Sequence, residues 1–212
     1  MMMRECVSAF SRRLYSTLTV EFPLPAWGPG MNTLARNLLA AIPHVMHDKV
    51  LFFEDDDWYA EDYCVKMASH LMGSVAVVGD PVSCYYNVQT RSFRTMHNYG
   101  MASLCQTGMK SEHLSVLEKV CRASGNQIDV RLWKSAPSRM LLHIGLVTGI
   151  KGLPGRPGIG IGHKPERSLE LWKSDSDLLK LREWIGDDVE LYEEFLSGPT
   201  KSGSLSTPSV VT

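Results

Sequence analysis

The chain has 212 residues, of which 44% are hydrophobic and 21% charged, and its formal net charge is −1 at pH 7. These values are typical of one globular domain with a substantial core, and no apolar run approaches the roughly 20 residues needed to span a bilayer. The five cysteines are odd in number and include no Cys-x-x-Cys pair, which argues against a disulfide framework or a zinc site. We therefore expect a cytoplasmic protein with a single domain over residues 1–196 and a disordered tail over residues 197–212.

The predicted elements alternate between strands and helices along most of the chain. In chain order they are a strand over 15–22, a helix over 32–42, a strand over 49–53, a helix over 60–72, strands over 75–79, 83–88 and 92–95, a helix over 112–124, a strand over 141–147, a loop over 149–162, and helices over 178–184 and 189–196. This alternation predicts an α/β fold, with a mixed sheet flanked by helices on both faces.

The small net charge hides three regions of opposite sign. Residues 51–80 hold seven acidic side chains and one basic one, residues 88–167 hold twelve basic and four acidic ones, and residues 168–195 hold nine acidic and three basic ones. An acidic region beside a basic one suits a metal ion and a phosphate-bearing ligand. The alternative is that these charges spread over different faces of the fold.

The most informative segment is the run over residues 50–59, Val-Leu-Phe-Phe-Glu-Asp-Asp-Asp-Trp-Tyr, in which an apolar strand ends in four consecutive carboxylates. Carboxylates this close together repel one another unless a cation lies among them. Side chains two residues apart on an extended segment point the same way, so Glu54 with Asp56, or Asp55 with Asp57, can bind one divalent ion. Because Mg²⁺ completes its coordination with water and phosphate oxygens, the pattern indicates a site for a phosphorylated ligand. A solvated acidic turn is the alternative.

Four segments carry a resemblance to a known family: MNTLARNLLAAIPHV, VLFFEDDDWYAEDYCVKMASHL, CYYNVQTRSFRTMHNYGMASLCQTGMKSEHL and IKGLPGRPGIGIGHK. In this order they resemble glycosyltransferases of the GT-A fold, in the family 2-like group, and particularly those of bacteriophages and prophages. The resemblance implies a Rossmann-like mixed sheet and the metal-dependent transfer of a sugar from a nucleotide sugar, expected to be a UDP-sugar, to an acceptor hydroxyl. Because the acidic motif begins as early as residue 54, we expect a GT-A-like domain that is shortened at its amino-terminal end.

The same resemblance assigns roles to the acidic residues and to a later histidine. It makes Asp56 and Asp57 the ligands of Mn²⁺ or Mg²⁺ and places Asp55 beside them at the nucleotide. His163 follows the glycine-rich loop and is expected to complete the coordination of the metal. A lone histidine is more often structural or exposed, and that alternative stays open for His163.

The glycine-rich loop over residues 149–162 is predicted to bind the donor diphosphate. Lys151 and Arg156 supply positive charge, and glycines such as Gly155 let the backbone approach phosphate oxygens closely. The alternative is an ordinary flexible loop whose cations are solvated.

Asp129 is the predicted general base. It is the one acidic residue between Glu118 and Glu166, and its basic surroundings keep it ionised and able to accept a proton. In the family that the chain resembles, a carboxylate at the head of a helix often takes this role. The alternatives are a helix cap or an ion pair with a neighbouring arginine.

Aromatic and basic side chains interleave over residues 85–98, a mixture that suits stacking and phosphate contacts on a nucleic acid. Because enzymes of the phage subgroup can glycosylate modified bases, DNA carrying a hydroxymethylated base is the expected acceptor. The same pattern equally suits a β-hairpin with one buried face.

Two other functions are compatible with the same residues. The first is a truncated, non-catalytic module that binds a sugar nucleotide or a partner. The second is a metal-dependent nucleotidyltransferase or phosphodiesterase that uses the same carboxylates.

Overall fold

The computed structural model describes residue 21 and residues 23–24, 33–123, 127–154 and 171–196. The described residues form six α-helices: α1 (Leu34–Ala41), α2 (Tyr63–His70), α3 (Leu114–Ala123), α4 (Ile128–Ser135), α5 (Leu179–Ile185) and α6 (Glu193–Leu196). They also form nine strands: β1 (Lys49–Leu51), β2 (Asp57–Tyr59), β3 (Val77–Gly79), β4 (Val82–Asn87), β5 (Ser92–His97), β6 (Thr107–Lys110), β7 (Arg139–Leu141), β8 (Val147–Lys151) and β9 (Lys173–Ser174). Short 3₁₀ helices occupy Ile42–His44, Leu104–Gln106, Ser111–His113 and Gly186–Tyr192.

The strands form two mixed sheets, whereas one was expected. The first sheet has the order β1–β6–β3–β7, and its β3–β7 pair is parallel. The second has the order β2–β8–β4–β5–β9, and its β8–β4 pair is parallel. The mixed α/β class is therefore confirmed, and the expectation of a single sheet is wrong. The chain passes from the first sheet to the second between β1 and β2, and again between β3 and β4.

The strand β1 lies at the edge of the first sheet, although its apolar sequence predicts a buried central strand over residues 49–53. It is three residues long and only half buried, and it pairs antiparallel with β6. Its side chains alternate between two clusters: Val50 and Phe52 pack against the core beside α3 and α4, and Leu51 packs against the cluster around α2. Both faces are therefore covered, which explains a continuous apolar run at an edge position.

The amphipathic helices cover the sheets much as their sequence patterns predict. Leu117, Val120 and Cys121 form the buried face of α3, and Tyr63 and Met67 form that of α2. The predicted strands of the hairpin are also confirmed, since β4 and β5 pair antiparallel over their full length. The last predicted helix, over residues 189–196, is instead a 3₁₀ helix followed by the short α6.

The predicted strand over residues 141–147 does not form. Residues 142–146 are irregular between β7 and β8, because the Asp80 carboxylate accepts hydrogen bonds from the backbone N–H groups of Ile144 (3.0 Å) and Gly145. His143 and Gly145 have positive φ, so the chain bends there. The strands β2, β6 and β9 and the helix α4 were not predicted from the sequence, and β7 and β8 each share one residue with the predicted strand.

The glycine-rich segment begins inside a strand and not in a loop. Gly149 to Lys151 form the end of β8, and the chain leaves the strand at Gly152 with φ of 78°. The remainder of the predicted loop from residue 155, the predicted strand over 15–22 apart from Glu21, and the tail over 197–212 lie outside the described residues. No helix in the described part of the chain has the length and apolar character needed to cross a membrane.

Candidate functional site

The acidic run forms the turn between β1 and β2. Asp55 and Asp56 lie in the turn, and the backbone N–H of Asp57 donates to the carbonyl oxygen of Glu54 over 3.5 Å. The expectation of an extended segment is wrong, because the chain turns at Asp55 and Asp56. Shared metal binding by carboxylates two residues apart stays a prediction. The turn instead brings together residues three apart, Glu54 and Asp57.

Cys105 joins these two carboxylates to form a group with metal-ligand spacing. One carboxylate oxygen from each of Glu54 and Asp57 and the Cys105 sulfur all lie within 4.8 Å of one another. Burial and the charges of Glu54 and Asp57 raise the pKa of the Cys105 thiol, so a metal bound here would have to displace its proton. Carboxylate oxygens suit Mn²⁺ and a thiolate suits a softer ion such as Zn²⁺, so the donor set fits a divalent metal on that condition. Among the described residues this group does not include Asp56, the expected principal ligand.

A lysine from β8 neutralises the other side of the turn. The Lys151 Nζ lies 2.8 Å from the Asp57 Oδ1 and 3.1 Å from the Asp56 Oδ2. The Lys151 side chain is 5% exposed and that of Asp57 is 2% exposed. Lys151 is thus a buried counter-ion in a strand, whereas the sequence suggested a cation in a mobile loop; a contact between Lys151 and a donor phosphate stays a prediction.

The register of β2 against β8 explains how Lys151 reaches the turn. Asp57 pairs with Gly149, and Gly149 and Lys151 lie on the same face of β8 because they are two residues apart. A Cβ atom on Gly149 would lie 3.2 Å from the Lys151 Cε and 2.7 Å from the Tyr85 ring. The absence of a side chain at Gly149 therefore leaves the path by which the lysine stem reaches Asp57.

Burial and the nearby charges of the turn shift the pKa values of its carboxyl groups. Burial, and then repulsion from Asp57, raise the pKa of Glu54 to about 7, while the Lys151 ammonium opposes the shift. Burial also raises the pKa of Asp57, despite its contact with Lys151. Because Glu54 as a whole is exposed to solvent, water screens the repulsion around it, and its effect on stability is correspondingly modest.

Asp129 is electrostatically coupled to the same turn. It lies in the first turn of α4, is half buried, and its Oδ1 accepts the backbone N–H of Val130 over 2.8 Å. Its charge is one of the smaller contributions that raise the pKa of Glu54. Arg122, one of its possible ion-pair partners, pairs instead with Glu118 over 2.8 Å.

Three aromatic rings fix the backbone around the ligand group. Phe53, Tyr59 and Tyr63 pack together with ring centroids 4.5–5.3 Å apart. The Tyr59 hydroxyl accepts the backbone N–H of Glu54 over 2.8 Å, and the Tyr63 hydroxyl donates to the carbonyl of Cys105 over 3.1 Å. Burial raises the pKa of both tyrosines, so they remain neutral.

The 3₁₀ helix Gly186–Tyr192 lies beside the acidic turn. The Trp58 Nε1 donates to the Asp188 Oδ2 over 2.7 Å. Burial, and then the charges of Asp188, Asp57 and Asp56, raise the pKa of Tyr192 to about 12. The sequence of this segment carries no pattern that predicts its place at the site.

An apolar cavity of about 230 Å³ extends from the ligand group between α1, β1 and α3. Its walls are mainly aliphatic side chains, and Glu54 and Cys105 contribute to its lining. The site therefore combines a charged part at the turn with an apolar part behind it.

Of the remaining predicted residues, the structure describes some and not others. Asp55 is exposed in the turn, whereas Gly155, Arg156 and His163 lie outside the described residues. In the hairpin, Tyr86 is fully buried and packs with Phe93 against the cluster that contains Leu181 and Ile185 of α5. The Tyr86 ring therefore belongs to the core and is not available for stacking on a nucleic acid, whereas Phe93 is half buried.

Comparison of the chain with protein-family models gives no match, and comparison with curated proteins gives none either.

Proposed function

We propose that this chain is a metal-dependent glycosyltransferase that moves a sugar from a nucleotide sugar, a UDP-sugar, to an acceptor hydroxyl. The observation that supports the proposal best is the acidic turn, where Glu54, Asp57 and Cys105 have the spacing of metal ligands. The choice of sugar transfer rests on the sequence resemblance.

The carboxylates of the turn provide the metal site in this proposal. Glu54, Asp57 and Cys105 would hold the ion together with Asp56, and His163 would complete its coordination. When bound, a divalent ion neutralises the negative charge that develops on the departing diphosphate. Gly155 and Arg156 contact the same diphosphate, since backbone N–H groups and a guanidinium both bind phosphate oxygens well.

Asp129 accepts the proton from the acceptor hydroxyl. As the hydroxyl oxygen bonds to the anomeric carbon, the bond between that carbon and the diphosphate oxygen breaks, and the nucleoside diphosphate leaves with the electron pair. The electrostatic coupling of Asp129 to Glu54 supports a position near the reacting atoms. We propose DNA with a hydroxymethylated base as acceptor, and the excess of basic residues over 88–167 supports a polyanionic partner.

One observation favours a second candidate, a module that binds a sugar nucleotide without turning it over. Lys151 already offsets one of the two negative charges of Asp56 and Asp57, which stabilises the turn without a metal. A binding module needs the charge balance and the cavity but not the general base.

The discriminating experiment measures product release from a panel of nucleotide sugars with Mn²⁺, with and without hydroxymethylated DNA. Release of nucleoside diphosphate supports the transferase, and binding without release supports the module. Nucleoside monophosphate, with pyrophosphate or sugar phosphate, indicates a nucleotidyltransferase or phosphodiesterase.

Metal dependence is tested in the same assay with EDTA and with variants of the turn. We expect Asp56→Ala and Asp57→Ala to lose at least ~100-fold in rate, because the ion stabilises several kcal/mol of developing charge. Asp62→Ala is the matched control, since its carboxylate forms a half-exposed pair with Lys66 on α2. Full activity in EDTA would reject the metal-dependent mechanism.

A further inference from the structure

Lys151 is a cation that the fold itself supplies to the acidic turn. Its ammonium contacts both Asp56 and Asp57 and is almost fully buried. Burial alone lowers the pKa of a lysine, but the two carboxylates outweigh it and raise the pKa of Lys151, so the side chain is charged. A positive charge thus occupies the carboxylates that the proposed function assigns to a metal.

The backbone of Lys151 is fixed, and only its side chain can move. All five residues of β8 are buried, and the strand pairs with β2 on one side and β4 on the other. The Lys151 carbonyl also accepts the N–H of Val88 over 2.9 Å. The charge can therefore leave the turn only by rotation of the lysine stem.

We propose that Lys151 and a divalent cation compete for the carboxylates of Asp56 and Asp57. The proposal rests on the proposed function in one respect, that a metal binds at this turn. A divalent ion on these carboxylates would lie within a few ångströms of the ammonium, and like charges at such distances in a partly buried site repel strongly. Lys151 stabilises the turn without metal, and binding of the ion weakens or breaks its contact with Asp57.

Two consequences distinguish this competition from a purely structural ion pair. Removal of the positive charge should tighten metal binding, although it removes a contact that stabilises the fold. Binding of metal to the wild-type protein should change the environment of the Lys151 ammonium. A lysine that only orients Asp57 for the metal would give the opposite result for affinity, because its loss would misplace a ligand.

The first experiment measures the affinity of the full chain for Mn²⁺ alone, without nucleotide, by electron paramagnetic resonance. Lys151→Met should bind Mn²⁺ at least about tenfold more tightly than the wild type, since the repelling charge is gone. Lys151→Arg keeps the charge and should bind as weakly as the wild type. Lys66→Met is the matched control, because Lys66 also pairs with an aspartate, Asp62, at the surface.

The second experiment uses the wild-type protein, so it does not depend on the folding of a variant that lacks the Lys151 charge. In wild-type protein with ¹⁵N-labelled lysine, the hydrogen-bonded ammonium of Lys151 should give a protected NMR signal without metal, and saturation with Zn²⁺ should shift or remove it. Equal or weaker Mn²⁺ affinity in Lys151→Met, an unchanged ammonium signal at saturation, or no metal binding to either protein would overturn the competition. Because neither measurement uses a sugar nucleotide, absence of glycosyl transfer rejects the proposed function without affecting this result.

Discussion

Replacement of Lys151 by methionine should destabilise the metal-free protein strongly. Methionine preserves most of the apolar stem but removes the ammonium that contacts Asp57 at 2.8 Å and Asp56 at 3.1 Å. The Asp57 side chain is 2% exposed and that of Asp56 is 15% exposed, so water cannot replace the lost partner at Asp57. The substitution leaves a buried, uncompensated negative charge.

The size of the effect follows from this burial. Removing one partner of a buried ion pair costs about 3–5 kcal/mol. For a chain of this size each 1 kcal/mol lowers Tm by about 2–4 °C, so we expect Lys151→Met to lower Tm by roughly 6–20 °C. The loss should be smaller at pH 5 than at pH 8, because burial already raises the pKa of Asp57 and protonation removes the unpaired charge.

The assay is urea unfolding in EDTA, followed by tryptophan fluorescence, for the wild type, Lys151→Met, Asp57→Asn and the double variant. The double-mutant cycle should give a coupling of at least about 2 kcal/mol between Lys151 and Asp57. Lys66→Met, which breaks the half-exposed pair with Asp62, should cost no more than about 1 kcal/mol. Equal losses for the two lysine variants, with no coupling in the cycle, would refute the buried ion pair.

Three further predictions concern the same site. Asp129→Asn should leave nucleotide affinity nearly unchanged and lower transfer by ~10²–10⁴-fold, as expected for loss of a general base. Glu118→Gln on α3 is its control, since Glu118 is also half buried. In EDTA the free energy of unfolding of the wild type should fall as pH rises from about 4.5 to about 7. The raised pKa of Glu54 makes the folded state bind more protons than the unfolded state over this range. Glu54→Gln should therefore flatten the pH dependence of stability. Cys105→Ser should weaken binding of Cd²⁺ or Zn²⁺ more than binding of Mg²⁺, since thiolates favour softer ions, and should abolish the ultraviolet charge-transfer band of a cadmium thiolate.

Each of these predictions has a clear contrary result. Collapse of nucleotide affinity in Asp129→Asn would make Asp129 a binding or structural residue. A stability that rises with pH in EDTA, with no change in Glu54→Gln, would contradict the raised pKa of Glu54. An unchanged cadmium band in Cys105→Ser would remove Cys105 from the ligand group.

The sequence by itself determined the parts of the fold that depend on local pattern. The helices α1 to α3 and α5, the strand β3 and the hairpin β4–β5 follow from apolar periodicity and turn residues, which act over a few positions. The apolar run that ends in four carboxylates also located the centre of the candidate site. Four adjacent carboxylates repel one another, and this property can be read from the sequence without knowledge of the fold.

Only the tertiary structure decided which groups act on these carboxylates. Cys105 reaches the turn from the 3₁₀ helix Leu104–Gln106 that precedes β6, and Lys151 reaches it from β8, 94 residues after Asp57 in sequence. Neither residue has a local pattern that predicts this contact, because side chains so distant in sequence meet only through strand pairing. The sequence suggested a flexible loop at Lys151 since glycines dominate there, but the register of β8 against β2 places one of them, Gly149, where a side chain would obstruct the lysine.

The geometry of the turn also depends on the tertiary structure. An extended segment would have paired Glu54 with Asp56, but the chain must pass from the first sheet to the second between β1 and β2. This change of sheet forces a turn at Asp55 and Asp56 and brings Glu54 to Asp57. The acidic residues of the site could therefore be predicted from the sequence, whereas their pairing could not, because backbone direction at a turn depends on the sheets that the two flanking strands join.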